Sequence, residues 1–558
     1  MPLMSGKRAF LELLRQEGVE VIFGNPGTTE LPLMDALAVE SAPRYVLALQ
    51  EGAVMAMAGG YAQASGRLTA VNIHVAPGLG NAMGMLYDAH KAGAPILVTA
   101  GQHDQSFAVT EPILWAELPE IARPFVKWAV EVRRLADLPR LLHRAAKTAL
   151  APPTGPVFLS IPGDILNAEA EIDLGRPTRI ASRLRGDAAA IAAAANLLAA
   201  AERPVILAGD GVARSGALAE LAELAESIGA PVHLEGMDNS APFPSTHPLF
   251  RGPITRLAPQ VRKTLAQHDL LLSIGADLLT MSLPSEIEPI PPGLPIIHLD
   301  ADPWQLGKNY PAEVAILADP KAALPELIEV AAAAMSVSAK NAAGRRRIAL
   351  GTAIAAERAA LKARALAEAE KRPTQPLALW QAIGEMLPKN IVVVDETLSS
   401  APGLRQFIAG DDAKSFFGMR GGGIGWGLPA AVGVKLALPD RPVLALIGDG
   451  SALFNCQALW TAAHERVAVV FLILNNGAYR ILKQRTNALR GHAAQTGRYV
   501  AMDLDDPPID FVALANSMGV RAERAATLDE VRKSLAAALA AAGPTLIDVT
   551  LDPTFTPV

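Results

Sequence analysis

From residue 6 to about 165 the chain alternates short apolar runs with stretches of helical spacing. The runs 19–23, 44–49, 69–73, 96–100 and 157–161 have strand length, and 8–16, 31–37, 52–64 and 80–91 carry apolar residues at helical intervals. Continuous apolar strands separated by helices mark a parallel sheet covered on both faces. Segment 162–185 holds proline and charge without a strand pattern and reads as a strandless linker. A second unit follows, with an alanine-rich helix to 201 and strands at 204–208, 231–234, 269–274 and 295–300. Residues 336–374 are rich in Ala, Lys, Arg and Glu and include Arg345, Arg346 and Arg347. They read first as a solvated connecting helix and second as a nucleic-acid contact. A third unit has strands at 391–394, 443–447, 467–474 and 545–549. The expected fold class is α/β, with three doubly wound parallel-sheet domains over 1–180, 186–335 and 375–558 and a connecting segment over 336–374.

Composition narrows the partners. Of 558 residues, 51% are hydrophobic and 19% charged, enough apolar side chain for several cores. Fifty Lys and Arg against 56 Asp and Glu leave a net charge of -6, which repels polyanions and argues against nucleic acid. The single cysteine, Cys456, allows no internal disulfide, fits a reducing compartment, and reads as a small buried hydrophobe. Lys7, Arg8, Glu12, Arg15 and Glu17 break any apolar signal core in residues 1–24, and the apolar stretch 188–201 is too short to span a bilayer. A cytoplasmic protein without a membrane partner is expected.

The most informative chemistry lies where Gly448-Asp449-Gly450-Ser451 follows one apolar strand and Asn475-Asn476 ends the next. Adjacent parallel strands bring their following loops together at the carboxyl edge, so Asp449 and Asn476 can converge although 27 residues apart. A carboxylate with an amide oxygen suits a hard divalent cation such as magnesium, which draws its remaining oxygens from phosphate and water. Gly448 and Gly450 admit close backbone approach, and Ser451 is expected to open a helix whose amides favour phosphate. The site reads as a cradle for a metal-bridged diphosphate.

A Gly-Asp-Gly start and an Asn-Asn end make this segment resemble the signature of thiamine diphosphate-dependent enzymes. The resemblance extends along nearly the whole chain, through Phe23-Gly24-Asn25-Pro26-Gly27, Ala48-Leu49-Gln50-Glu51, Arg123-Pro124-Phe125-Val126-Lys127-Trp128 and Ala458-Leu459-Trp460-Thr461. Within the family it is nearest benzoylformate decarboxylases, with many segments shared with acetolactate synthase-like proteins. The resemblance implies thiamine diphosphate and magnesium as cofactors, a pyrimidine-binding N-terminal domain and a diphosphate-binding C-terminal domain. Asp449, Asn476 and the Ala478 carbonyl would hold the metal. Ser399, Gly450, Ser451 and Tyr479 would contact the cofactor, with Gly422 as carbonyl donor to its pyrimidine and Ile424 beneath its bend. Glu51 would be the activating acid, although a first-turn helix carboxylate is its other reading. His74 and Thr28 match the histidine and serine that meet the substrate, with a strand-end histidine and a helix-cap threonine as plainer alternatives.

The implied activity is non-oxidative decarboxylation of a small 2-oxo acid to an aldehyde, that is, a carbon-carbon lyase. Acetolactate synthase-like carboligation and a catalytically inactive cofactor-binding protein are the alternatives. A homodimer or homotetramer with active sites between subunits is implied as well. The chain departs from benzoylformate decarboxylases at three places. Ser282 stands near the position of their second histidine, Gly418 replaces an aromatic, and Arg480, Ile481, Lys483, Gln484 and Arg485 replace small and aromatic pocket residues. Those cations read first as a solvated helix face and second as partners for a charged substrate group. The middle loop 209–216 reads first as a tight turn and second as a nucleotide or flavin contact.

Overall fold

A computed structural model describes residues 2–555 and contains three six-stranded sheets, every pairing within them parallel. The first sheet runs Arg44–Leu47, Val21–Gly24, Thr69–Ile73, Ile96–Gln102, Val157–Pro162, Ala129–Glu131. The middle sheet runs Phe250–Pro253, Val232–Leu234, Pro204–Ala208, Leu270–Ile274, Ile296–Asp300, Val314–Leu317. The third runs Phe416–Gly418, Val392–Glu396, Val443–Gly448, Val469–Asn475, Thr545–Thr550, Arg521–Ala525. Numbered along each domain, the first and third sheets share the order 2-1-3-4-6-5, whereas the middle sheet has 3-2-1-4-5-6. Each order reverses beside its first strand, and a crevice opens there at the carboxyl ends of the strands.

The α/β expectation holds, and the central strands lie where the apolar runs stand. Within the three large sheets five strands escape that reading: Ala129–Glu131, Phe250–Pro253, Val314–Leu317, Phe416–Gly418 and Arg521–Ala525. All five are at sheet edges. The strandless reading of 162–185 is corrected, because Glu169–Glu171 pairs antiparallel with Leu3–Ser5. The connecting segment does form a helix, Val337–Ala367, but it is not wholly solvated. Arg346 donates to the Ile228 carbonyl at 2.6 Å and Arg358 to that of Ser245 at 2.8 Å, tying the helix to the middle domain. Cys456 is half-buried rather than buried. No helix among the described residues is long and apolar enough to cross a membrane.

One hydrophobic core joins the first and third domains, and the middle domain has its own. Helices Glu51–Ser65 and Gly427–Ala437 cross so closely that a Cβ on Gly433 would lie 1.9 Å from the Met57 carbonyl oxygen. The middle domain is fastened by Arg420 of the third. Its guanidinium meets Glu235 at 2.5 and 2.9 Å, Asp277 at 3.0 Å and Asp210 at 3.3 Å. One cation cannot neutralise three carboxylates. Burial, reinforced by Asp210 and Asp277 and opposed by Arg420, pushes the Glu235 carboxyl up to about 8.

The folded chain therefore takes up a proton at Glu235 more readily than the unfolded chain does, in a window that opens at the ordinary value of 4.5 and extends toward about 8. Stability falls as pH rises through that window, and Glu235→Gln is expected to flatten the fall by at least about 1 kcal/mol. Urea midpoints measured at both ends of the window check this, and an unchanged pH dependence in the variant contradicts it.

Candidate active site

At the third sheet's crevice Asp449 begins a single helical turn, Asp449–Ala452, so the helix opens two residues earlier than Ser451. A turn this short has little macrodipole, and local N–H groups set its electrostatics. The buried Asp449 carboxylate accepts from the N–H of Gly450 at 2.8 Å, Asn476 at 3.0 Å and Gly477 at 2.7 Å. Burial raises its pKa while these donors oppose the rise. The Asn476 Oδ1 and Ser451 Oγ are buried without a partner. A carboxylate beside an orphaned amide oxygen fits a hard cation. No cluster of three or more His, Cys, Asp or Glu that could hold a metal exists among the described residues, so further oxygens would come from the ligand and from main chain such as Ala478. Tyr479 packs on Gly450, where a Cβ would meet its ring at 2.5 Å.

Ser399 follows Leu398, a non-glycine residue with a φ of 50°. A left-handed leucine is strained and is held there by its surroundings. Arg480 supplies part of that hold: it donates to Ser399 Oγ at 3.0 Å, Ser400 Oγ at 2.7 Å and the Asp552 carbonyl at 2.9 Å. It is only 5% exposed, which corrects its reading as a solvated cation. Lys483 pairs with Asp503. Gly418 is a domain contact, its N–H donating to the Asn239 carbonyl at 3.0 Å.

Gly422, at φ 80°, and the half-buried Ile424 lie on a loop that three acids restrain. Glu396 accepts from Gly425 N–H at 2.6 Å and Gly427 N–H at 2.5 Å. Asp88 of the first domain accepts from Gly423 N–H at 3.3 Å, and Glu235 of the middle domain grips Arg420 at the loop's start. Burial pushes both Asp88 and Glu396 up to about 7, against the pull of these N–H groups.

The first sheet's crevice holds the other predicted residues. Glu51 is buried at the start of its helix, with its oxygens accepting from Asn25 Nδ2 and Asn81 Nδ2, each at 3.0 Å. His74 Nδ1 meets Glu30 Oε2 at 2.9 Å and Thr29 Oγ1 at 3.1 Å. Glu30 holds the imidazole above its ordinary pKa by this hydrogen bond, against desolvation. Gly27 permits the approach, since a Cβ there would lie 2.2 Å from the His74 ring. Thr28 is exposed and lines an open cavity of about 510 Å³ with Thr29, Gln102 and Phe107.

One sheet edge thus gathers Ser399, Asp449, Gly450, Ser451, Asn476, Ala478 and Tyr479, and another gathers Thr28, Glu51 and His74. Asn455 stands between the two: it donates to the Gly425 carbonyl at 2.8 Å, and its Oδ1 lies 2.9 Å from where a Gly52 Cβ would be. The middle segment 209–216 turns from its strand at Gly209 straight into a short helix, Asp210–Ser215, with Gly211 packed on Gly275 and Asp210 accepting from Ser240 Oγ at 2.6 Å. Sequence reasoning does not single out Glu30, Asn81, Asp88, Glu396 or Arg420. Glu396 ends a strand beside a predicted site residue and could have been found from that, whereas Asp88 and Arg420 carry no local signal.

Residues 4–114 match the thiamine pyrophosphate enzyme N-terminal TPP binding domain, 191–327 the central domain and 404–549 the C-terminal TPP binding domain. The chain is 35% identical over 544 residues to benzoylformate decarboxylase of Pseudomonas aeruginosa, covering 97% of this chain and 98% of the relative. It is 29% identical to a probable acetolactate synthase large subunit of Methanocaldococcus jannaschii, covering 99% and 92%. Among solved structures, a thiamine diphosphate-dependent 4-hydroxybenzoylformate decarboxylase of Rhodococcus jostii superposes with a TM-score of 0.86 at 32% identity, covering 99% of this chain and 100% of that one. Benzoylformate decarboxylase of Polynucleobacter necessarius gives 0.88 at 30% identity, with the same coverage.

Removing the Glu396 carboxylate leaves two buried N–H groups without an acceptor. Glu396→Ala is expected to speed amide exchange across 420–427 at least about tenfold, because the loop opens locally. Hydrogen exchange resolved by mass spectrometry tests this, and unchanged protection there would show that Glu396 does not hold the loop.

Proposed function

We propose, from the premise that this chain belongs to the thiamine diphosphate-dependent family of decarboxylases and synthases, that it decarboxylates a 2-oxo acid to an aldehyde without net oxidation. The observation that carries this reading is Glu51: a buried carboxylate whose oxygens are fixed by Asn25 and Asn81 at the start of a helix. Two amide donors fix the direction of an acid that would otherwise rotate.

Asp449, Asn476 and the Ala478 carbonyl would hold a magnesium ion, with Gly450, Ser451, Ser399 and Tyr479 about the diphosphate. Thiamine diphosphate, when bound, supplies a nucleophilic carbon and an electron sink. Glu51 would pair with the pyrimidine ring nitrogen, the Gly422 carbonyl would accept from the pyrimidine amino group, and Ile424 would pack against the cofactor as its apolar support. Because the Glu30 carboxylate accepts the proton on His74 Nδ1, Nε2 is the nitrogen left to exchange protons with substrate. Thr28, exposed on the cavity, orients the substrate carboxylate by its hydroxyl.

A second reading, carboligation of the acetolactate synthase type, draws support from Ser282. Its Oγ is buried without a partner and is no proton donor at neutral pH comparable to an imidazole. Slow protonation of the product would leave time for a second carbonyl compound to be joined. Pairing of two copies is part of the proposal. Glu51 and Asp449 sit on different sheet edges, and Leu49 and Phe454 nearby in sequence are 46% and 53% exposed.

Incubation with thiamine diphosphate, magnesium and a panel of 2-oxo acids, analysing carbon dioxide and organic products, separates the readings. Aldehyde as main product supports decarboxylation, 2-hydroxy ketone supports carboligation, and no turnover of any acid supports an inactive binding protein. Glu51→Gln is expected to lower turnover about 10² to 10⁴-fold while the cofactor still binds by fluorescence titration. Full turnover in that variant would mean that Glu51 is not the activating acid.

A further inference from the structure

Arg480 joins three loops at the carboxyl edge of the third sheet. It directly follows Tyr479, whose ring packs on Gly450, and the N–H groups of Asn476 and Gly477 just before it donate to Asp449. Its guanidinium reaches the loops after two other strands. Nε and one Nη donate to the Ser399 and Ser400 hydroxyls at 3.0 and 2.7 Å, beyond Val392–Glu396, and the other Nη donates to the Asp552 carbonyl at 2.9 Å, beyond Thr545–Thr550. Those two strands lie one on each side of the pair Val443–Gly448 and Val469–Asn475. One side chain therefore spans the sheet edge that carries the candidate cation site.

Among the described residues the charge of Arg480 has no ion-pair partner. Arg480 is 5% exposed and Arg405 7%, the two buried arginines of those residues. Arg405 pairs with Asp238, whereas Arg480 meets only hydroxyl and carbonyl oxygens. The acids that act on it from farther off, Asp552 and Asp449, are engaged elsewhere. The Asp552 carboxylate accepts from Gln375 Nε2 and Thr554 Oγ1, each at 2.8 Å, and Asp449 accepts from three main-chain N–H groups. A guanidinium removed from water and given only neutral acceptors is costly, and an anion close by offsets the cost.

A serine oxygen that accepts from a guanidinium directs its own hydrogen away from the cation. The half-buried Ser399 is in that state. We propose that Arg480 is a positioning residue for the diphosphate of the cofactor: it fixes the Ser399 hydroxyl as a donor and sets a positive charge behind it. The diphosphate is then recognised by charge through a serine as well as through a metal ion. This inference rests on the assignment of Ser399 to the diphosphate made above, and it is testable without any turnover.

Quenching of intrinsic fluorescence on titration with thiamine diphosphate and with thiamine, each with magnesium, measures the protein's preference for the diphosphate. Arg480→Gln is expected to weaken thiamine diphosphate binding roughly 10- to 100-fold, the range for a charge-assisted hydrogen bond, and to leave thiamine within about twofold. Arg480→Lys, which keeps the charge but not the fork, is expected to recover part of the loss. Ser399→Ala is expected to lower the preference as well, and Arg480→Gln added to it is expected to cost less than it does alone, because the two residues act as one unit. Equal weakening of both ligands in Arg480→Gln marks a merely structural role and overturns the proposal, as does strict additivity with Ser399→Ala. Should Arg480→Gln not fold, Arg480→Lys and Ser399→Ala carry the test, and a full preference in both overturns the proposal. An undiminished preference in Arg480→Gln defeats the inference and leaves the decarboxylase reading standing. If the Arg480-dependent preference holds while no 2-oxo acid is turned over, that reading fails and the inference stands. An unsubstituted protein that binds both ligands alike defeats the diphosphate cradle and the inference together.

Discussion

A loop of consecutive glycines has no side chains to bury and no preferred path, so its shape has to be imposed by groups outside it. In this protein the imposing groups come from all three domains. Glu396 of the third accepts from the N–H groups of Gly425 and Gly427, Asp88 of the first from Gly423, and the middle domain grips Arg420 at the loop's start. Ile424 and the Gly422 carbonyl have a fixed place only because of these contacts. Buried carboxylates are tolerated when donors surround them, and the raised pKa values of Asp88, Glu396 and Glu235 show that the donors only partly offset desolvation. The loop is therefore where the relative placement of the domains becomes chemistry.

The strand orders show how one scaffold serves two purposes. In the first and third domains the order reverses at the same point, between strands one and three, and each crevice opens there. The first crevice carries ionisable groups, with His74 tied to Glu30 and Glu51 tied to two amides. The third carries a carboxylate, an orphaned amide oxygen and hydroxyls, suited to a cation and an anion together. The middle domain has a different order, and contact of Gly211 with Gly275 and the salt-bridged Asp210 close its crevice. Its part in the site is to anchor Arg420.

What could be read in advance followed from how visible burial is in a sequence. Strands such as Val469–Asn475 are covered on both faces and are apolar throughout, so they announce themselves. Arg521–Ala525 lies at an edge, has two arginines and a glutamate, and is buried at one residue, so no apolar run marks it. The same contrast holds in the site. Asp449 and Asn476 stand immediately after readable strands, and position alone brings them together. Asp88 lies inside the helix Val75–Ala92, where an acid ordinarily reads as a solvated face, and only the packed loop turns it into an acceptor.

The cations after Tyr479 sharpen this lesson, since side chains of one charge and one helix have different fates. Arg480 looks the most substrate-ready by position yet is buried under the Leu398–Ser400 turn, where its Nε donates to Ser399 Oγ. A hydroxyl oxygen that accepts from a guanidinium keeps its own hydrogen free to donate. Ser399 is thereby set up as a donor to an oxyanion, with a positive charge behind it. Arg480 thus favours an anion at that sheet edge without needing to touch it, while Lys483, on the same helix, is spent on a pairing with Asp503.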